Sequence, residues 1–346
     1  MKPLPMWILA LVLVFCLTGA ASASKGEVVV YGWAGYIPQG VLNDFTKETG
    51  IRVVYSTYDS NEAMFAKVKL LKGATFDVVV PSTDFVELLH RNNLIRELDR
   101  SKLPNMVNLD PNLMNQNHDP GNKYSIPYLW GSTGLAYNKK FLPDGIKGWN
   151  DLMKPELKGH ILLTDDLRDA FGLALLALGY SPNSTVPKQI QEAFDWLSKL
   201  KPSARVFDSS RVQQSLASEE VWVSPIWSDN FLTMEEEVEN LAYVFPKEGA
   251  MLWMESFVIL ARAPNVENAY AFINYMLRPE VAIRCVDEIM ASTPNLKALD
   301  LVPEDLRNNP VFAPSPEQLK KAKFQAHVGE ALPLYEKLWE EFKALK

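Results

Sequence analysis

Short apolar runs alternate along this chain with longer segments in which apolar positions recur every three or four residues. Val28-Val29-Val30-Tyr31 reads as a strand, and Pro38 to Glu48, closed by Gly50, as a helix with a glycine stop. Arg52 to Ser56 is the next strand and Asn61 to Leu71 the next helix. Phe76-Asp77-Val78-Val79-Val80 is a third strand, followed by a helix through Val86 to Arg91. Strands that are continuously apolar and separated by helices predict a parallel sheet covered on both faces.

Pro104 to Lys123 breaks this rhythm, being rich in Asn, Pro and Asp, and reads as a linker or surface loop. Strands at Leu135 to Asn138, His160 to Leu163 and Val221 to Ser224 then build a second α/β unit, with helices at Leu167 to Leu178 and Lys188 to Leu200. Ala242 to Phe245 and Met254 to Leu260 are further strands. From Val266 the pattern is mostly helical, ending in an amphipathic helix from Ala331 to Leu345. Two such units predict two lobes with a cleft between them. Ligands of open parallel sheets sit at the carboxyl ends of the strands, so the residues just after each strand are the ones to inspect.

The amino terminus is different material. Lys2 precedes an unbroken apolar run from Met6 to Leu17, and Ala21-Ser22-Ala23 supplies a small-residue exit. This reads as a secretory signal over 1–23, too short for a membrane span of about 20 apolar residues. Lipid attachment at Cys16 is the less favoured alternative, because Phe15 before it is bulky. Export is expected in both cases. If Cys16 leaves with the signal, Cys285 is the only thiol remaining, and its apolar helical stripe makes it a small buried hydrophobe.

The length of 346 residues suits two domains, and a net charge of −7 without a Lys/Arg cluster argues against a nucleic-acid partner. Motifs for dinucleotides, P-loops, zinc proteases, redox dithiols and serine hydrolases are absent, and the four histidines have no metal-ligand spacing. No cofactor, metal or catalytic group is indicated.

Aromatics do stand beside acids and hydroxyls at strand ends. Trp33 and Tyr36 follow the first strand and Ser82-Thr83-Asp84 the third. Asp165, Asp166 and Asp169 open a helix, Trp227-Ser228-Asp229 follow another strand, and Trp253 and Glu255 lie in an apolar run. Indole faces attract cations and carboxylates accept strong hydrogen bonds from ammonium groups. Together they suit a long aliphatic cation carrying amines. The bland reading makes the tryptophans core residues, with Trp130, Trp149, Trp196, Trp222 and Trp339 structural, and Asp165 the cap of its helix. Asp166 and Asp169 share a helix face, and either reading fits them. Glu255 is the hardest to explain structurally, since a buried strand carboxylate needs a partner.

Tyr31-Gly-Trp-Ala-Gly-Tyr-Ile-Pro, Tyr55-Ser-Thr-Tyr-Asp-Ser-Asn-Glu, Asp77-Val-Val-Val-Pro-Ser-Thr, Tyr124-Ser-Ile-Pro-Tyr-Leu-Trp-Gly, Leu162-Leu-Thr-Asp-Asp and Phe245-Pro-Lys-Glu-Gly carry a specific resemblance. Over nearly the whole mature chain the sequence resembles the periplasmic spermidine/putrescine-binding proteins of bacterial ABC transporters, the PotD-type polyamine receptors. The resemblance implies a two-lobed, type II-like periplasmic binding protein, each lobe a mostly parallel α/β sheet flanked by helices. The implied lobes are 24–132 with about 255–302, and 133–254 with about 303–346.

By position, Trp33, Tyr36, Trp227 and Trp253 resemble the aromatic box around a polyamine. Asp166, Asp169 and Glu255 resemble its acids, and Ser82, Ser209 and Gln325 its polar lining. Glu255 stands where the family often has Asp; Gly35 where an acid can stand; Asp84 and Ala291 where aromatics are common. One end of the site thus loses ring surface, while Asp84 can restore a charge.

The implied function is a non-enzymatic, monomeric receptor in the periplasm that captures putrescine or spermidine and hands it to an inner-membrane ABC permease. Alternatives are a receptor of the same fold for another small cation or for a metal such as ferric ion, and an exported hydrolase with Asp166 and Asp169 as acid and base. An anion receptor would want arginines in its cleft, and a scaffold would not depend on these acids.

Overall fold

A computed structural model describes residues 26–345. The expected signal, 1–23, and Cys16 lie outside the described residues.

The chain opens with β1 (Glu27–Trp33), α1 (Gln39–Thr49), β2 (Arg52–Tyr58), α2 (Asn61–Leu70), β3 (Val78–Val79) and α3 (Thr83–Arg91). As expected from the glycine, α1 stops at Gly50, whose left-handed φ of 75° lets its N–H reach Thr46 O. Parallel pairing of β1 with β2 and with β3 makes one wing of a sheet. After the loop comes β4 (Ser125–Asn138), then β5 (Ile161–Leu163), α4 (Leu167–Ala177), α5 (Pro187–Leu200), β6 (Ala204–Phe207), α6 (Val212–Ala217), β7 (Val223–Trp227) and α7 (Ser228–Glu235). Here β5 pairs in parallel with β6 and β7, giving the second wing.

Then follow β8 (Leu241–Val244), β9 (Met251–Ile259), α8 (Val266–Met276), α9 (Pro279–Ile289), the short α10 (Leu296–Leu299), α11 (Glu304–Arg307) and α12 (Pro316–Lys321), β10 (Lys323–Phe324) and α13 (Leu332–Ala344). The strands form one continuous sheet in the order β2-β1-β3-β9-β4-β7-β5-β6, with β10 on β9 and β8 on β4. The two wings are parallel, as the apolar runs imply. Antiparallel pairing is confined to the middle, where β4 and β9 run against each other from Ser125–Val258 to Thr133–Met251. These two strands serve both wings: β9 continues onto β3, and β4 onto β7 and β8.

Two lobes follow from this arrangement. One core gathers Val28, Val30, Phe45, Ile126, Phe257 and Phe272, with Cys285 fully buried in it. The other gathers Leu163, Phe171, Leu175, Trp196, Tyr335 and Phe342 under α4, α5 and α13. Trp149, Trp196 and Trp339 are structural in this second core. Trp222 stacks on His160, with centroids 3.5 Å apart and planes 6° from parallel. No helix among the described residues is long and apolar enough to cross a membrane.

Candidate ligand-binding site

Parallel strands bring their carboxyl ends to one edge, and residues from the ends of the two wings meet where the Tyr36 hydroxyl after β1 donates to Asp229 after β7. From the first lobe come Trp33 and Tyr36 after β1, and Ser82 and Asp84 after β3. From the second come Asp166 and Asp169 after β5, Ser209 after β6, and Trp227 and Asp229 at the end of β7. β9 supplies Trp253 and Glu255 between them, and Gln325 follows β10.

Glu255 is 4% exposed, and one oxygen accepts the Trp33 Nε1–H at 2.8 Å while the other accepts the Ser82 hydroxyl at 2.7 Å. Asn61 donates to the same serine Oγ at 2.9 Å. Burial, followed by the nearby charges of Asp84 and Asp229, pushes the Glu255 carboxyl up to about 8, although both donors oppose the rise. Asp169 is its counterpart on α4. Trp227 Nε1–H donates to Oδ2 at 2.8 Å and Gln325 Nε2 to Oδ1 at 2.8 Å. Burial and the neighbouring Asp166 push Asp169 to about 8 as well. Burial likewise raises Asp84, Asp166 and Asp229.

Aromatic walls complete the cluster. Trp33 tilts against Tyr58 at 4.7 Å between centroids and Tyr36 lies 6.5 Å from it. Three hydroxyls hold the backbone here: Tyr55 donates to Trp33 O at 2.6 Å, Tyr128 to Tyr36 O at 2.7 Å and Tyr58 to Val80 O at 2.5 Å. Trp253 is buried against β4 because the facing residue is Gly131, where a Cβ would lie 2.3 Å from Trp253 Cζ2. Trp227, from the second lobe, packs on the core of the first. Two hydrogen bonds tie the first lobe to groups across from it: Tyr36 to Asp229 at 2.7 Å and Thr83 Oγ1 to Gln325 O at 2.7 Å. Gln325 also lines a cavity of about 690 Å³ shared with Gln116, His118, Trp130 and Lys320.

Three details differ from the sequence reading. The cap of α4 is Asp166, not Asp165: its Oδ1 accepts the Asp169 N–H at 2.8 Å, while Asp165 is exposed. The register is one residue later because β5 ends at Leu163 and Thr164 is still buried. Ser209 reaches the right edge of the sheet, in a turn capped by Asp208, and its buried hydroxyl has no hydrogen-bond partner among the described residues. Asp229 is a further acid of the cluster, which the family resemblance does not imply. Its place after Trp227 was the available signal, masked because a first-turn acid is an ordinary helix feature. Of the departures, Gly35 has a left-handed φ of 77° and open space at its Cβ position, and Ala291 is fully buried.

The arrangement is a cluster of four buried carboxylates, Asp84, Asp169, Asp229 and Glu255, with Asp166 beside them, set among indoles and hydroxyls. Arg168 brings a positive charge to the cluster, acting on Asp84 and Asp166. Among the described residues no group of three or more His, Cys, Asp or Glu converges as a metal ion would require.

Comparison with known proteins agrees. The family of bacterial extracellular solute-binding proteins matches residues 40–314. The chain is 41% identical over 329 residues to the spermidine/putrescine-binding periplasmic protein of Escherichia coli, covering 95% of this chain and 94% of that one. A putrescine-binding periplasmic protein of the same species is 36% identical over 317 residues, covering 86% and 85%. Among solved structures, the spermidine/putrescine ABC transporter substrate-binding protein of Streptococcus pneumoniae superposes with a TM-score of 0.82 at 38% identity, covering 92% of this chain and 99% of that one. By this family match and these identities, the two-lobed chain belongs to the bacterial extracellular solute-binding proteins.

Proposed function

We propose that this protein captures polyamines, putrescine or spermidine, between its lobes and delivers them to an ABC transporter. One observation carries the reading: carboxylates from both lobes and from the crossing strand are buried together among indoles, with the Arg168 guanidinium nearby. Such a cluster costs stability unless a cation enters it. The relatives named for spermidine and putrescine support the same ligand class. Trp33, Tyr36, Trp227 and Trp253 supply ring faces for the methylene chain. Asp84, Asp166, Asp169 and Glu255 take the ammonium groups, with Ser82, Ser209 and Gln325 lining the slot.

Delivery follows from closure. A polycation that touches both lobes binds the closed form more tightly than the open one, and that differential affinity drives the shift. We infer the lobes as 24–132 with about 255–302 and 133–254 with about 303–346, so that β4 and β9 carry the motion. The core helices α8 and α13 pack on opposite lobes in the sense this division requires. The chain acts as an exported monomer, cleaved after its signal into the periplasm, that docks on an inner-membrane permease and performs no chemistry on its ligand.

Native mass spectrometry and calorimetry of the purified protein test this. Wild type is expected to carry or bind a polyamine with one-to-one stoichiometry, and Asp169→Asn and Glu255→Gln to weaken binding by about 2 kcal/mol or more. Unchanged affinity in both variants would remove the electrostatic argument, and turnover of an amine substrate would make the protein an enzyme.

A further inference from the structure

The crossing strands have a second face. Side chains alternate along β9, so Leu252 points away from Trp253 and Glu255. There it joins Trp130 of β4 in a small apolar cluster with Leu113, Leu319 and Phe324. These five residues also line the cavity of about 690 Å³ that Gln325 edges, a volume within the roughly 300–1,000 Å³ of small-molecule sites. Both of its walls are anchored. On one side Asn108 Nδ2 donates to Leu277 O at 3.2 Å and the Asp110 N–H to Pro294 O at 2.7 Å. On the other, just past α12, the Lys323 N–H donates to Ala250 O at 3.1 Å.

Two rings at this cavity lack a partner. His118 and Trp130 are 8% and 9% exposed and both line it, yet His118 Nε2 and Trp130 Nε1 are enclosed with no hydrogen-bond partner among the described residues. An indole N–H can only donate, whereas an imidazole nitrogen donates or accepts. A buried donor without an acceptor costs about 1–3 kcal/mol, which an acceptor placed in the cavity beside it recovers.

Charge narrows what that acceptor belongs to. Lys320 and Lys323 line the cavity together with Asp110, whose Oδ1 already accepts the N–H and the side-chain amide of Asn112. Burial pushes the His118 imidazole down from its ordinary value, so the ring is neutral at neutral pH. Two ammonium groups beside an unmatched indole N–H favour an anionic acceptor and disfavour a polyamine, which sets this cavity apart from the acidic cluster. Its apolar wall favours a ring or an alkyl chain. We propose that the cavity is a second binding site, for a small organic carboxylate, whose apolar body packs on Trp130, Leu252 and Phe324 while its oxygens take the Trp130 N–H and meet His118 and Lys320.

Titration of phenylacetate, and of hexanoate as its alkyl counterpart, into isotope-labelled wild type tests this through the indole N–H resonances. One indole signal is expected to shift and to saturate at millimolar acid or below. That signal is missing from Trp130→Phe, which binds the acid at least tenfold more weakly, and phenylacetamide binds wild type at least tenfold more weakly than phenylacetate. Should Trp130→Phe not fold, the surface double variant Lys320→Gln with Lys323→Gln carries the test, losing at least fivefold on phenylacetate and nothing on the amide. No saturating shift with either acid, or a shifted signal that survives in Trp130→Phe, overturns the proposal. Equal affinity for acid and amide overturns the carboxylate assignment, and displacement of phenylacetate by putrescine would put the acid in the acidic cluster and overturn the second site.

Discussion

Buried acids of two kinds exist in this molecule. Asp119, 3% exposed, accepts the backbone N–H of Lys123, Tyr124 and Ser125 and the Ser125 hydroxyl. Asp77, fully buried, accepts Val29 N, Asn265 N and Asn265 Nδ2. Main-chain donors wrap both, and in doing so tie a loop or a helix entry to the sheet. Asp169 and Glu255 are as deeply buried, but their donors are side-chain tips: two indoles, an amide and hydroxyls, several from other elements of the slot. Asp84 and Asp229 each keep a buried Oδ1 with no hydrogen-bond partner among the described residues. The first kind of acid is part of the fold. The second kind is held in place by the fold at a cost.

The largest effect should fall on the first kind. Asp119→Ala strands four donors at once, and each buried unpaired donor costs about 1–3 kcal/mol, so a loss of about 3 kcal/mol or more is expected in urea denaturation. A loss below about 1 kcal/mol would dissolve the distinction. Next in size, Asp169→Asn and Glu255→Gln should lower polyamine affinity by about 2 kcal/mol while leaving ligand-free stability unchanged or improved. Stability that falls in step with affinity would place these residues with Asp119.

A smaller effect comes from pH, and its sign separates the two kinds. Burial raises Asp169 and Glu255 to about 8, against about 4 in an unfolded chain. An acid whose folded value is raised keeps its proton after the unfolded chain has released its own. These two groups therefore subtract stability from the ligand-free protein as pH climbs from about 4 to about 8. Ammonium groups bind the ionised carboxylates, so binding releases protons below about pH 8. Affinity should rise roughly tenfold or more from pH 6 to pH 7, flatten above about 8, and fall as the amines lose protons near 10. Calorimetry in buffers of different ionisation heat measures the released protons, and Glu255→Gln should remove about one of them. A flat profile from pH 6 to 8 would contradict the origin assigned to the raised values.

How far the sequence made this visible depends on what each residue must do. Both parallel wings were legible, because strands buried on two faces are written as apolar runs: Val28 to Tyr31 in β1 and His160 to Leu163 at β5. The first half of β4 was not, since Pro127 sits where a central strand would normally exclude it; a register shift between Pro127 and Leu129 accommodates it. β6 and β10, of four and two residues, carry too little pattern to stand out. Trp33 and Ser82 meet on Glu255, and Trp227 and Gln325 on Asp169, although no local pattern in the sequence links them. Asp229 was hidden because its neighbour in sequence gives no sign that Tyr36 will reach it across 193 positions.

A third class of acid sets the lower end of the scale. Asp44 on α1 pairs with Arg284 on α9 at 2.8 Å, and the two side chains are 53% and 42% exposed. Glu48 pairs with Arg278 between the same two helices. Water and salt screen both pairs, and holding two long side chains in one geometry costs entropy, so each contributes about 0–1 kcal/mol. Helix α1 already docks through Val41, Leu42 and Phe45, with Phe45 fully buried against Phe272 and Tyr275. Asp44→Asn is therefore expected to shift stability by at most about 0.5 kcal/mol, to lose that shift in 1 M salt, and to leave polyamine affinity unchanged. A measurable affinity change would mean that the slot senses the charge of the whole surface and not only of the acids inside it, and the contrast with Asp169 and Glu255 would then be one of degree.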